Sequence, residues 1–133
     1  MPSLHLTRVA FGAADTSVLA ANIAARAVAA EVRFTTRNRP RRADALIGGY
    51  LHFIIRHMLV ARVEILRFDD AAEGRTDIVC SDRLELVQPT PRRAHQGWRY
   101  LAAEDAPLLL DAASGVGDLP PELVRELSNL ALI

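Results

Sequence analysis

Two arginine-rich segments hold most of the side chains in this sequence that could bind a ligand. The first, TTRNRPRRADALIGGY, spans residues 35–50, and the second, PRRAHQGWRY, spans residues 91–100. A planar guanidinium group donates two parallel hydrogen bonds to a phosphate or carboxylate, so clustered arginines are typical of anion-binding surfaces. The arginines predicted to contact an anion are Arg33, Arg37, Arg39, Arg41, Arg42, Arg62, Arg92, Arg93 and Arg99. The alternative is a solvated surface with some arginines paired to acids, which is the usual role of a charge run.

Aromatic side chains accompany both segments. Tyr50, Trp98 and Tyr100 are candidate stacking residues, because bases of single-stranded nucleic acid stack on aromatic rings beside basic groups. Trp98 is the only tryptophan of the chain. For this residue a structural role, as an anchor in the core or in a lid, is the favoured interpretation.

Residues with catalytic potential are few. His52 is a candidate general base beside Arg62 and Glu64, although a surface or half-buried histidine is the favoured interpretation. No histidine, cysteine or carboxylate set has the spacing of a metal site, and no glycine loop has the sequence of a phosphate cradle. We therefore predict no metal and no cofactor, and we favour a non-enzymatic role while leaving an enzyme open.

The charges are unevenly distributed along the chain. The net charge is zero and the chain has no lysine, which codon bias alone could produce. Yet residues 31–67 carry +5 and residues 89–100 carry +3, so the basic residues form two blocks. The single cysteine, Cys80, excludes an internal disulfide and predicts a buried thiol in a reducing compartment. No apolar run reaches the length of a membrane span, so we predict a cytoplasmic protein with no membrane partner.

The length of 133 residues predicts one domain, residues 1–133. Periodicity predicts helices over residues 16–31 and 118–132, and a helical turn after Pro40 that Gly48 and Gly49 end. It predicts strands over residues 3–11, 32–37, 50–56, 59–68, 76–80 and 83–88, and a strand or docked segment at 98–101. Pro89 and Pro91 predict an irregular connector. The fold class is therefore α+β, with a curved, mostly antiparallel sheet flanked by an N-terminal and a C-terminal helix.

The two central strands have distinct predicted faces. Residues 51, 53 and 55 of the first strand and 59, 61, 63 and 65 of the second alternate as core positions. The opposite face carries Tyr50, His52, Arg62 and Glu64, and we expect it to be half exposed.

The stretches TRNRPRRADALIGGYLHFIIRHMLVARVEILRF and PRRAHQGWRYLAAEDAP resemble the bacterial family known as domain of unknown function 1489. The N-terminal LHL and the C-terminal PPELVREL extend this resemblance over nearly the whole chain. A more distant similarity is to the PUA and ASCH β-barrels, in which a strand, a short helix ending in glycine and a hairpin frame a basic cleft. That similarity implies a PUA-like half-barrel that binds RNA or a modified nucleotide.

Three functions follow as hypotheses. The leading one is a non-enzymatic RNA- or nucleotide-binding module with a basic arginine cleft. The second is a small enzyme that acts on a nucleotide or an anionic metabolite. The third is a protein-interaction domain or homodimer that uses the apolar tail LSNLALI.

Overall fold

Seven β-strands and two α-helices make up the part of the chain that the computed structural model describes, residues 4–10 and 12–110. In chain order they are β1 (Leu4–Val9), α1 (Thr16–Arg26), β2 (Glu31–Thr36), α2 (Ala43–Leu46), β3 (Tyr50–Ile55), β4 (Met58–Asp70), β5 (Thr76–Ser81), β6 (Glu85–Pro91) and β7 (Trp98–Ala102). The predicted helix over residues 118–132 lies outside the described residues. Within them, no helix is long and apolar enough to cross a membrane.

The strands form one open, mixed sheet in the order β2-β5-β4-β3-β1-β7, with β6 paired to the first part of β4. β1 and β3 are parallel, and the other pairs are antiparallel. The prediction of a mostly antiparallel sheet is confirmed, because the pairing of β1 with β3 is the one parallel pair among the described strands. Closure into a half-barrel and the flanking position of the terminal helices stay predictions.

The helix α1 begins where the sequence predicts it. The side chain of Asp15 accepts a hydrogen bond from the backbone N–H of Val18 at 2.9 Å, which satisfies one of the free donors of the first turn. The helix ends at Arg26, five residues before the predicted end. Ala29 and Ala30 have positive φ angles of 54° and 64° and form a tight turn into β2, so the helix cannot continue through them.

A β-bulge changes one predicted core position. Phe53 pairs with Ala61 and Ile54 pairs with Leu59, so Val60 is the extra residue on β4. An extra residue inverts the alternation of faces on one side of the bulge. Val60 therefore packs into the main core, and Leu59 packs on the other face with Ile54 and Leu101. The prediction that Leu59 shares a face with Ala61 is wrong for this reason.

The segment with two prolines is a strand, so the prediction of an irregular connector from residue 89 is wrong for residues 89–91. Thr90 pairs with Leu59 and Pro91 with Met58. A proline is tolerated where its nitrogen is not needed for the ladder, as at the end of a strand. The irregular connector is confined to residues 92–97, which lead into β7.

The double glycine has two different physical roles. Gly48 has a φ angle of +87°, which ends α2 in a conformation that favours glycine. A Cβ atom on Gly49 would lie 2.5 Å from the carbonyl oxygen of Leu4. Gly49 therefore lets the end of α2 approach β1 closely.

Candidate functional site

A cleft of about 710 Å³ opens between the end of β2 and the start of β7, and we call it the β2–β7 cleft. β1 contributes Arg8 to its floor, and the connector before β7 contributes Gln96. Its polar lining comes mainly from Arg8, Thr35, Thr36, Arg37, Asn38 and Gln96, with Trp98 as the aromatic wall.

Arg8 is the most unusual residue of this cleft. It is half-buried, and its guanidinium carbon lies 5.4 Å from the centre of the Phe34 ring. Within residues 4–10 and 12–110, no hydrogen bond or ion pair holds its guanidinium group. Burial, and next the nearby charge of Arg26, lower the pKa of Arg8. A partly desolvated cation without a counter-charge is costly, so an anion in the cleft would be stabilised there.

Arg8 is not among the site residues predicted from the sequence, although the sequence contains a signal for it. Leu4 and Leu6 point into the core, and strand alternation places Arg8 on the same face. An arginine on the apolar face of a strand indicates either a buried ion pair or a ligand contact. The predicted binding arginines come from the two clusters and, with Arg62, from the strand face around His52, and Arg8 lies in neither place.

Trp98 connects the two arginine-rich segments. Its indole N–H donates a hydrogen bond to the carbonyl oxygen of Asn38 at 2.9 Å, and its ring packs edge-on against Tyr100 with centroids 5.1 Å apart. The hydroxyl of Tyr100 accepts a hydrogen bond from the backbone N–H of Arg42 at 3.2 Å. The two segments therefore meet along β7, and Trp98 both anchors this contact and lines the cleft.

The arginines of the first segment divide between the cleft and the surface. Arg37 lines the β2–β7 cleft. Arg33 points away from the core and forms ion pairs with Asp69 at 3.0 Å and Asp77 at 3.4 Å. Arg39 lies 3.9 Å from the highly exposed carboxylate of Asp70. Arg41 and Arg42 are exposed at the start of α2, outside the cleft.

Arg62 belongs to a separate, well-packed group. Its Nε atom donates a hydrogen bond to Glu85 at 3.1 Å, and its guanidinium carbon lies 3.7 Å from the centre of the Tyr50 ring. One face of Tyr50 is therefore already covered by Arg62, which removes that face as a platform for a base.

The second segment lines a different cleft, also of about 710 Å³, at the turn between β3 and β4. Its polar lining consists of His57, Arg92, Arg93, His95 and Arg99. We call it the β6–β7 cleft, after the connector that carries Arg92, Arg93 and His95. The two arginine clusters therefore do not share one cleft: from the first, Arg37 lines the β2–β7 cleft, whereas the arginines of the second line this one.

The predicted catalytic pair is not arranged for catalysis. His52 is 0% exposed and Glu64 is exposed, so the prediction of a half-exposed face is wrong for His52. Burial, and then the charges of His5 and Arg62, lower the pKa of His52 to about 3. A neutral imidazole sealed in the core lines neither cleft and cannot reach a substrate there.

Cys80, the single cysteine of the chain, lies in the core. Cys80 is completely buried, and burial raises its pKa, so the predicted inert thiol agrees with its position. Among the described residues, no group of three or more histidine, cysteine or carboxylate side chains could hold a metal ion.

Comparison with known proteins identifies the family. The sequence profile of a family of unknown function, DUF1489, matches residues 6–133. The chain belongs to this family. The resemblance noted in the sequence is thereby confirmed, whereas the more distant likeness to PUA and ASCH barrels stays a prediction. Neither the curated proteins nor the solved structures include a significant match. The description of DUF1489 names no activity. The clefts are therefore the basis for a proposed function.

Proposed function

We propose that this DUF1489 protein is a non-enzymatic module that binds RNA or a nucleotide by its phosphate in the β2–β7 cleft. The observation that carries the proposal is Arg8, a half-buried cation that lines the cleft and packs on the Phe34 ring but has no hydrogen-bond or ion-pair partner in the described part of the chain. Burial of the Arg8 guanidinium group costs free energy in the free protein, because the group loses hydration. A bound phosphate would offset this cost by accepting hydrogen bonds from the group.

The surroundings of Arg8 fit a phosphate ester. Arg37 adds a second guanidinium group, and the hydroxyl of Thr36 adds a donor of the kind that commonly contacts phosphate oxygens. The hydroxyl of Thr35 already donates to the carboxylate of Asp77 at 2.6 Å. Trp98 offers an aromatic wall within the same cleft, held in place by its hydrogen bond to Asn38. A cationic floor with an aromatic wall is the combination used by proteins that bind single-stranded nucleic acid.

The lining supports binding rather than catalysis. The described residues that line this cleft include no histidine, carboxylate or thiol. A general acid or base must lie within hydrogen-bond reach of the reacting atoms. The cleft therefore has groups that hold an anion and none that would transfer a proton at neutral pH.

Trp98 makes the proposal directly testable, because it is the only tryptophan and lines the cleft. We would titrate the protein with the 5′-phosphorylated dinucleotide pUpU and follow indole fluorescence at low salt. Saturable quenching is expected. Arg8→Met should weaken it by about tenfold or more, because a hydrogen bond to a charged group contributes about 1.5–3 kcal/mol.

Arg75→Ala is the matched control, since Arg75 is exposed and lines neither cleft. It removes the same charge and should leave the titration unchanged. Equal affinities for the Arg8→Met variant and the original protein would overturn the proposal.

A further inference from the structure

The β6–β7 cleft is a second concentration of positive charge. Among the described residues, its lining contains Arg92, Arg93 and Arg99 with two histidines and no carboxylate. In the described ranges, none of these three arginines forms an ion pair. They differ in this respect from Arg33 and Arg62, whose charges are compensated by acids.

The segment that carries Arg92 and Arg93 is held in place by the protein. The backbone N–H of Arg92 donates to the carbonyl oxygen of His57 at 2.9 Å, and the N–H of Ala94 donates to Nδ1 of the same histidine at 2.9 Å. One residue on, Nε2 of His95 lies 2.8 Å from Oγ1 of Thr7. Fixing a loop before binding reduces the entropy that a ligand must overcome.

The same contact determines what His57 can offer. Because Nδ1 accepts a hydrogen bond from the backbone, a neutral His57 ring carries its proton on Nε2. His57 is exposed and lines the cleft, so it adds a donor beside the arginines. The arginines and His57 therefore supply donors to the cleft, as an anion site requires. Both ring nitrogens of His95 are engaged within the protein, with Thr7 and with the carbonyl oxygen of Gln96.

The two clefts are separated by a single edge strand. Trp98 lines the β2–β7 cleft and the next residue, Arg99, lines the β6–β7 cleft, on the opposite face of β7. Among the strands that the structure describes, β7 is the last one of the sheet. Just before it, a Cβ atom on Gly97 would meet no atom within 4 Å, so the backbone there faces open space. A chain-like ligand can cross at this point.

We infer that the β6–β7 cleft is a second phosphate-binding site and that the ligand is single-stranded RNA long enough to pass over β7 from one cleft to the other. This inference rests on the proposed function, and it selects the polymer over the free nucleotide. Phosphates repeat along a strand, and arginine forks on both faces of an edge strand match such a repeat.

The test compares ligand length and salt dependence. We would measure binding of a fluorescein-labelled uridine dodecamer by anisotropy, and of pUpU by Trp98 fluorescence, between about 50 and 200 mM salt. The double variant Arg92→Ala/Arg93→Ala should bind the dodecamer about tenfold more weakly. Its slope of log K against log salt should become shallower by about 1.4, the value for two lost phosphate contacts on a single strand. Its affinity for pUpU should not change.

The double variant Arg75→Ala/Arg83→Ala is the charge-matched control, because neither arginine lines a cleft. If this control lowers the affinity for the dodecamer as much as Arg92→Ala/Arg93→Ala does, the attraction is unspecific and the inference fails. If Arg92→Ala/Arg93→Ala leaves the affinity for the dodecamer unchanged while Arg8→Met still lowers the affinity for pUpU, the second site is overturned and the proposed function stands. If neither probe binds the original protein, the proposed function itself fails.

Discussion

The indole N–H of Trp98 donates a hydrogen bond to the backbone carbonyl oxygen of Asn38 at 2.9 Å, across sixty residues of sequence. This bond joins β7 to the connector after β2, where the chain reverses toward α2. Both partners line the β2–β7 cleft. The shape of the cleft therefore depends on a contact between two segments that are remote in sequence.

Replacing Trp98 with phenylalanine tests the contribution of this hydrogen bond to stability while an aromatic ring stays in the cleft. Trp98→Phe keeps a ring in the cleft but removes the donor to Asn38 and part of the packed area. We expect the free energy of unfolding to fall by about 1–3 kcal/mol, measured by urea denaturation followed by circular dichroism. Tyr100→Phe is a milder comparison, because it removes only the acceptor for the exposed Arg42 N–H. Equal stability of Trp98→Phe and the original protein would show that the bond is not structural.

Arg8 should lower the stability of the free protein and raise its affinity for a phosphate ligand. Arg8→Met replaces a half-buried, uncompensated cation with an apolar side chain of similar length, and it also relieves the repulsion from Arg26. We expect the melting temperature to rise, with a gain in unfolding free energy of about 1 kcal/mol, while affinity for pUpU falls. Calorimetry checks the first effect. A lower melting temperature would indicate that Arg8 has a structural role instead.

The buried imidazole of His52 predicts a loss of stability in acid. Its pKa is about 3 in the folded protein and about 6.5 when unfolded, so the unfolded state binds the additional proton between these values. The stability is complete above about pH 6.5 and falls as the pH is lowered toward 3. At pH 5 the loss from His52 amounts to about 2 kcal/mol, at 1.36 kcal/mol per pH unit.

Urea denaturation at pH 7.5 and pH 5 would measure this loss. His52→Leu should lose less stability than the original protein between the two pH values, because leucine has no proton to bind. Ile54→Val is the control: it truncates a neighbouring core residue and should cost about 1 kcal/mol equally at both. The idea fails if His52→Leu shows the full pH dependence.

Two glycines should respond to alanine in different degrees. Gly49→Ala places a Cβ atom 2.5 Å from the carbonyl oxygen of Leu4, so strand β1 must move. We expect a loss of more than about 3 kcal/mol, or failure to fold. Gly97→Ala meets open space but has a φ angle of +72°, so it should cost about 1–2 kcal/mol. Thermal denaturation of both variants would reveal a reversed order if the close approach of Gly49 were unimportant.

Local sequence patterns predicted most of the strands and the start of α1. Alternation in residues 32–36 is visible because one face of β2 is buried and the other carries Arg33 and Thr35. The core-facing residues of β3 and β4 were harder to predict, because both faces of β3 are buried after Tyr50. When alternation between polar and apolar residues disappears, neither the bulge at Val60 nor the burial of His52 can be read from the sequence.

The candidate site was predicted by residue type and corrected by position. Arg37 and Trp98 were singled out from the sequence, and both line the β2–β7 cleft. Arg33 was singled out for the same reason, yet it is held by Asp69 and Asp77 on neighbouring strands. Arg8 lies at the floor and was overlooked, since its importance comes from Phe34 and Arg26 rather than from its sequence neighbours.

The sequence by itself determined the family, the mostly antiparallel sheet, the buried thiol and the presence of two arginine clusters. The family follows from the resemblance of whole stretches of sequence. The other features depend on composition and on periodicities of two and 3.6 residues, which act over a few positions. Only the tertiary structure decided which arginines are neutralised, that the second cluster lines a different cleft from Arg37 of the first, and that Arg8 lines the same cleft as Arg37. Charge compensation and cleft shape depend on contacts between distant segments, such as Trp98 with Asn38, and no local pattern encodes them.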